Sequence, residues 1–413
     1  MAIIKPFRAL RPPRDLTGKV AALPYDVMDV EEARAMASGN PNSFLHISRP
    51  EIDLPAEIDP HDEQVYRLGK SNLDEFIRRN VLIKEDHDCF YVYRQRMGSV
   101  EQTGLVVCAS VDDYQNGVIK KHEHTRADKE EDRVKHIDSI DANDEPVFYL
   151  SRSCSEVEGI IKGVTSGEPE YDFISDDSVG HTLWIISDRV LIDRLTLLFA
   201  AIPKLYVADG HHRSAAAGRV RELRRINNLH HTGHEEYNFF LTVIFPETQL
   251  NIMPYNRAVT DLNGLSPTDF ILRLDSAFSV STSPVPVIPS ERHHFGMYID
   301  NHWYHLHARS SVVNEIDTVD RLDVSILQNC LLNPLLGIDN PRTDKRIHFV
   351  GGIRGNEELV RMVDSGDYAV AFALYPTSIS ELNELADQDQ IMPPKSTWFE
   401  PKLRSGLFVH LLN

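Results

Sequence analysis

The stretch Leu205-Tyr206-Val207-Ala208-Asp209-Gly210-His211-His212-Arg213-Ser214 decides how this chain is read. Leu205 to Ala208 is short and apolar, which fits a buried strand. Asp209 to His212 reads as a loop. Arg213 to Ile226 reads as a helix with Ala216, Val220 and Leu223 spaced along one face. The first turn of a helix leaves backbone N–H groups without intrahelical partners and carries the positive end of the helix dipole. Together these make an anion site, and phosphate is its usual occupant. Gly210 lets the backbone come close to a ligand. His212, Arg213 and Ser214 add donors, and the planar Arg213 guanidinium suits a bidentate phosphate contact. The bland alternative is a helix start capped by Asp209 and flanked by surface histidines.

Outward from this stretch, the chain alternates. Thr182 to Ser187 predicts a strand, Asp188 to Ala201 a helix and Asn238 to Phe245 another strand. Cys89 to Arg96 and Thr103 to Asp112 are rich in β-branched and aromatic residues and flank Gly98-Ser99, which predicts a hairpin or meander. Asp128 to Ile140 predicts a helix and Val147 to Ser151 a strand. Upstream, Asp29 to Ser38 reads as a helix with Asp29 as its cap and Gly39-Asn40-Pro41 as its stop. Ser43 to Ile47 reads as a strand and Pro60 to Asn80 as a second helix. Downstream, Phe295 to Ile299 and Trp303 to His307 predict a hairpin. Val319 to Leu332 predicts a helix, Tyr368 to Leu374 a strand and Ser380 to Gln388 a helix. No repeat is evident. The fold class expected is α+β (mixed α/β), in three regions: 1–85, 86–250 and 251–413.

Composition narrows the function. The 413 residues suggest two or three domains. Lys plus Arg is 43 against 62 Asp plus Glu, a net charge of −19, which argues against a nucleic-acid partner. No run of 18 apolar residues occurs, so no membrane partner is expected. Cys89, Cys108, Cys154 and Cys330 are scattered, which fits a reducing, cytoplasmic setting.

A second chemical segment is Lys120-Lys121-His122-Glu123-His124-Thr125. An acid between two histidines suits a general base or a set of metal ligands, and it equally suits a solvated loop. His230-His231-Thr232-Gly233-His234 reads as a surface loop, because Gly233 interrupts any helix that would align two ligands. Met392 to Lys402, rich in Pro and Lys, reads as a lid or a packed tail, with Lys395, Ser396 and Lys402 able to reach a site.

Several motifs in order carry a resemblance. They are His122-Glu123 with Thr125, Glu131-Asp132-Arg133, Ala142-Asn143 with Pro146-Val147-Phe148, and Asp209 to Arg213. Pro24-Tyr25-Asp26-Val27, Asn42 to Ile47, Arg49-Pro50-Glu51 and Met392 to Lys402 complete the set. With them the chain resembles, over nearly its whole length, the bacterial and archaeal family known as domain of unknown function 1015. That family often has Pro before the His-Glu pair, where Lys121 stands here.

The resemblance implies a ParB/sulfiredoxin-like nucleotide-binding core over 86–250, flanked by N- and C-terminal α/β regions. It also implies an activity like that of free serine kinases, which convert L-serine to O-phosphoserine. On that reading Asp209, Gly210, His211, His212 and Arg213 hold nucleotide phosphate, and Glu123 is the base. His122, His124, Thr125 and Arg133 support the substrate. The implied cofactors are ATP (or ADP) and Mg²⁺, with Asp209 as a carboxylate for the ion. The implied partners are L-serine and nucleotide, and a homodimer is admitted. Two other readings stay open. One is a metal-dependent hydrolase with His122, His124, Asp209, His211 and His212 as ligands. The other is a nucleotide-sensing module without turnover.

Overall fold

The structure is a computed structural model and describes residues 1–413. It is a mixed α/β protein whose chain divides into two compact units. The first holds residues 1–121, 125–250 and 401–413, and the second holds 122–124 and 251–400.

The main sheet of the first unit has nine strands. In chain order they are β1 (Ile4–Lys5), β2 (Phe90–Met97), β3 (Val100–Ser110), β4 (Ile119–Lys120), β5 (Val147–Ser151), β6 (Tyr171–Ile174), β7 (Gly180–Ile186), β8 (Leu205–Asp209) and β9 (Phe239–Pro246). Across the sheet they run β4-β8-β5-β9-β3-β2-β7-β6, with β1 alongside β3. The β2–β3 hairpin follows the period-2 pattern, turning at Gly98, whose φ of 58° suits glycine. Most pairs are antiparallel, but β8 runs parallel to β4 and β9 parallel to β5. Five helices of this unit are used below: α1 (Val30–Ala37), α2 (Glu63–Arg78), α3 (Ala127–Ile140), α4 (Arg189–Ala201) and α5 (His211–Asn227). Leu195 and Phe199 of α4 and Ala217 of α5 join Val92, Val107, Tyr149, Val207 and Ile244 in the apolar core. Ala216 and Val220 instead seal a seam with Val134 and Ile137 of α3. Leu223, expected on that face, is 46% exposed.

Residues 1–85 belong to the same unit as 86–250, and backbone pairing explains why. Phe7 bridges Cys89, Leu10 bridges Val409, and Ala22 bridges Ser405. Leu10–Arg11 pairs with Ile83–Lys84, and His410–Leu411 pairs with Ala142–Asn143. Helix α1 starts as expected, with a reciprocal capping box between Asp29 and Glu32. The strand expected over Ser43 to Ile47 is a short helix, Leu45–Ser48, instead. Phe44, Leu45, Ile47 and Ser48 are all buried. That spacing belongs to a helical turn, not to alternation.

The second unit is built on a six-stranded, wholly antiparallel sheet. Its strands are β10 (Tyr255–Val259), β11 (Phe278–Ser283), β12 (His294–Ile299), β13 (His302–Ala308), β14 (Ile347–Gly351) and β15 (Val370–Leu374), in the order β11-β13-β12-β15-β10-β14. The β12–β13 hairpin turns at Asp300 and Asn301, both with positive φ. Where one helix was expected over 319–332, Asp323–Leu327 is α-helical and Gln328–Leu332 continues as a π-turn. No helix is long and apolar enough to cross a membrane.

Candidate functional site: the 209–213 turn and the 122–124 loop

Strand β8 is flanked by β4 and β5, and its pairing with β5 slips between Val207 and Asp209. Helix α5 then begins at His211, two residues earlier than the sequence suggests. The connection is therefore the single residue Gly210, at φ 94° and ψ 31°. A Cβ there would lie 3.1 Å from Val147 Cγ1 and 3.2 Å from Arg213 Nε. Both the left-handed backbone and the close packing select glycine. The N-cap position is Gly210 itself, which has no side chain to cap with. The first turn of α5 carries N–H groups and the positive end of the helix dipole.

The neighbours of the turn fix its shape. Asp209 Oδ1 accepts the Gly210 N–H at 2.8 Å and its Oδ2 pairs with Lys402 Nζ at 3.0 Å. Ser214 bonds back to the Gly210 carbonyl through both N–H and Oγ, and its Oγ meets Tyr149 OH at 2.9 Å. His212 Nε2 accepts the Arg126 N–H at 3.1 Å, just ahead of α3. Thr125 Oγ1 donates to Glu130 Oε2 at 2.7 Å.

Arg213 turns inward. It is buried, and its NH1 donates to the Pro146 carbonyl. Burial opposes its charge, but Asp26, Glu145 and Asp209 outweigh that and raise its pKa. Arg133 is buried too. Its Nε and NH2 donate to Asp132 at 2.9 and 2.7 Å, and its guanidinium lies 4.0 Å from the centre of the Tyr25 ring. Burial alone would raise Asp132, yet Arg133, Tyr66 and His61 hold it at about 2. Arg133 and Arg213 both line a cavity of about 10 Å³, with Asp144, Glu145 and apolar residues including Val147 and Phe240. That is room for about one water molecule. Burial, reinforced by Asp144, pushes Glu145 up against the pull of Arg213 and Arg133. Glu145 Oε1 accepts from the Tyr25 N–H at 2.9 Å and from Ser405 Oγ at 3.0 Å.

This ionic knot of Tyr25, Asp26, Asp144, Glu145 and Ser405 around the two arginines was not foreseen. Asp144 and Glu145 are the two positions between Asn143 and Pro146 that the motif leaves open, and Tyr25-Asp26 lies in another quoted motif. Their adjacency in motifs was the available signal.

His122, Glu123 and His124 group with the second unit, while the turn, Thr125 and Arg133 group with the first. The loop leaves β4 at Lys120, beside Tyr206 of β8. His122 is buried. Its carbonyl accepts the Met392 N–H at 2.8 Å, and its Nε2 lies 3.4 Å from Thr397 Oγ1. The Met392 to Lys402 run, expected as a lid or a packed tail, makes contacts within each unit. Met392 and Thr397 hold the loop in the second, and Lys402 holds Asp209 in the first. No three His, Cys, Asp or Glu side chains converge to hold a metal ion.

Among solved structures the chain is similar to a free serine kinase in complex with AMP, at 12% identity and a TM-score of 0.35, covering 71% of this chain and 86% of that one. A C-terminally truncated SbnI from Staphylococcus aureus gives 12% identity and 0.40, covering 74% and 87%. A conserved hypothetical protein from Pyrococcus furiosus gives 13% and 0.37, covering 75% and 95%. Likenesses of this size do not bear on chemistry. No curated protein matches the chain. Residues 4–325, carrying the loop, the turn and every member of the ionic knot but Ser405, match the family described as protein of unknown function DUF1015, and the chain belongs to it.

Proposed function

We propose that the protein is a nucleotide-dependent small-molecule kinase that transfers a phosphoryl group from ATP, or from ADP, to the hydroxyl of free L-serine. One observation carries the reading. Strand β8 passes through a left-handed Gly210 directly into the N-terminus of helix α5. Such an end offers converging N–H donors and a positive dipole to phosphate. Residues 86–250 are the nucleotide-binding core in this proposal.

Phosphoryl transfer asks a protein mainly for positioning and charge neutralisation. Lys402, held at the turn by Asp209, is a cation available for that purpose. Asp209 already has Lys402 on one oxygen and Gly210 N–H on the other, so Mg²⁺ would be carried chiefly by the phosphates themselves. Arg213, engaged with Pro146, steadies the turn from behind. Glu123 is the proposed acceptor of the serine hydroxyl proton. The hydrolase reading lacks a converging ligand set to support it.

The test is a screen of free amino acids with ATP or ADP and Mg²⁺, followed by ³¹P NMR for a new phosphomonoester. O-phosphoserine is the expected product. Nucleotide binding without transfer to any amino acid would replace the proposal with a sensing module. With serine as substrate, Glu123→Gln should lower kcat by about 10²–10⁴-fold, the usual worth of general-base help. Nucleotide affinity should stay the same. A Gln variant at the wild-type rate removes Glu123 from the mechanism.

A further inference from the structure

In the second unit, Arg257 on β10 is only 3% exposed. A buried guanidinium is costly unless it is paired, yet no carboxylate bonds to this one. Its hydrogen bonds go to backbone carbonyls. NH1 donates to Tyr255 and Asn256, and NH2 donates to Pro394 at 3.4 Å and Lys395 at 2.9 Å. The rings of Tyr255 and Phe349 lie 5.8 and 4.7 Å from it. Burial lowers Arg257 to about 10, and Tyr255 and Glu123 act in the opposite sense. Glu123 is thus the carboxylate that feels this cation.

The partners of Arg257 also hold the loop. Met392 donates its N–H to the His122 carbonyl, and Thr397 meets the His122 ring. Between them stand Pro393, Pro394 and Lys395, the last with a φ of 58°. Two prolines stiffen this run, and the Arg257 bonds fall on the carbonyls of Pro394 and Lys395. One rigid segment therefore links the buried cation to the chain that carries Glu123. Tyr255 stands beside Arg257 and has Lys395 Nζ 5.6 Å over its ring, and His122 and His124 flank Glu123 in the chain.

We infer that Arg257 is a positioning residue for Glu123: it ties residues 394–395 to β10, fixes the segment on which the 122–124 loop hangs, and keeps a fixed cation within electrostatic reach of the Glu123 carboxylate. The inference rests on the role proposed for Glu123 and extends it to regulation of that group. A cation nearby favours the ionised carboxylate, so Glu123 meets its substrate already deprotonated and with modest basicity. This also assigns work to the Met392–Lys395 run, which the sequence left as a lid or tail.

The experiment is a ¹³C NMR titration of the full chain labelled at the glutamate carboxyls, with Glu123→Gln assigning the resonance. In Arg257→Gln the Glu123 midpoint should rise by about one pH unit or more. In Arg257→Lys, which keeps the charge and loses the fork of carbonyl bonds, the midpoint should hold while the Met392 amide exchanges at least about tenfold faster. A folded Arg257→Gln with an unmoved Glu123 overturns the electrostatic part. Wild-type exchange at Met392 in Arg257→Lys overturns the anchoring part. If Arg257→Gln does not fold, Arg257→Lys decides the anchoring part, and a wild-type Glu123 midpoint at or above the ordinary carboxyl value overturns the electrostatic part. The titration needs no turnover, so it stands or falls separately from the kinase reading. If serine is phosphorylated, the acid limb of kcat should move upward with the midpoint in Arg257→Gln.

Discussion

At the 209–213 turn a strand and a helix meet through one residue, Gly210, whose backbone angles and close neighbours admit little else. At 121–126 six residues pass between β4 and α3 with no regular structure, steadied by a few polar contacts such as Thr125 to Glu130 and Arg126 to His212. The turn is over-determined, because Val147, Tyr149, Ser214 and Arg213 all press on it. The loop is held at His122 by Met392 and Thr397, and its chemistry depends on particular side chains. Damage to the turn should therefore show first as lost stability, and damage to the loop as lost activity in a protein that still folds.

The largest expected effect tests that contrast directly. Arg213→Met leaves Asp26 and Glu145 without their buried cation and should cost about 3–5 kcal/mol by urea denaturation. Glu123→Gln, at a half-buried loop position, should cost no more than about 1 kcal/mol. Similar losses in the two variants would erase the distinction. Gly210→Ala comes next. The left-handed φ and the tight Cβ position predict a loss of about 2 kcal/mol and weaker nucleotide binding by calorimetry. An unchanged melting curve would contradict the account of the turn.

A third prediction sharpens the turn's side of the comparison through pH. Glu145 is raised by burial and by Asp144, from an ordinary 4.5 toward about 7. The folded state holds this proton more tightly than the unfolded chain. Its contribution to stability is therefore complete below about pH 4.5 and is lost as the pH rises toward about 7. Between about pH 5 and pH 7, wild type should lose on the order of 2 kcal/mol more than Glu145→Gln. Parallel stability curves would show that Glu145 is not the group responsible. The smallest effect is on the loop. Thr125→Val removes one hydrogen bond to Glu130 and should cost about 1 kcal/mol, measured by the same denaturation.

How legible this was in the sequence differs by element. The β2–β3 hairpin, the Asp29 cap and strand β8 were readable because each signal is local: period-2 residues, a capping box, a short apolar run before Asp-Gly. The start of α5 was set two residues late, since His211 and His212 are ordinary helix formers and only the φ of Gly210 marks the boundary. Ser43 to Ile47 was misread because five residues are too few to separate period 2 from a helical turn. The ionic knot was not legible as a unit. Tyr25 and Glu145 are 120 residues apart, and Asp209 and Lys402 are 193 apart, so only the tertiary fold brings them together. The Glu123 environment was hidden for the same reason, its cation being on β10 and its support on 392–397.

The pairing of Leu10 with Val409 and of Ala22 with Ser405 has a further consequence. Residues 401–413 complete the first unit, but the whole of 251–400 is made before them. On a ribosome the second unit can close while the first still lacks Leu407, Phe408 and Val409, all fully buried in the finished protein. A chain cut between residues 250 and 406 would leave the apolar surface those three cover open to water.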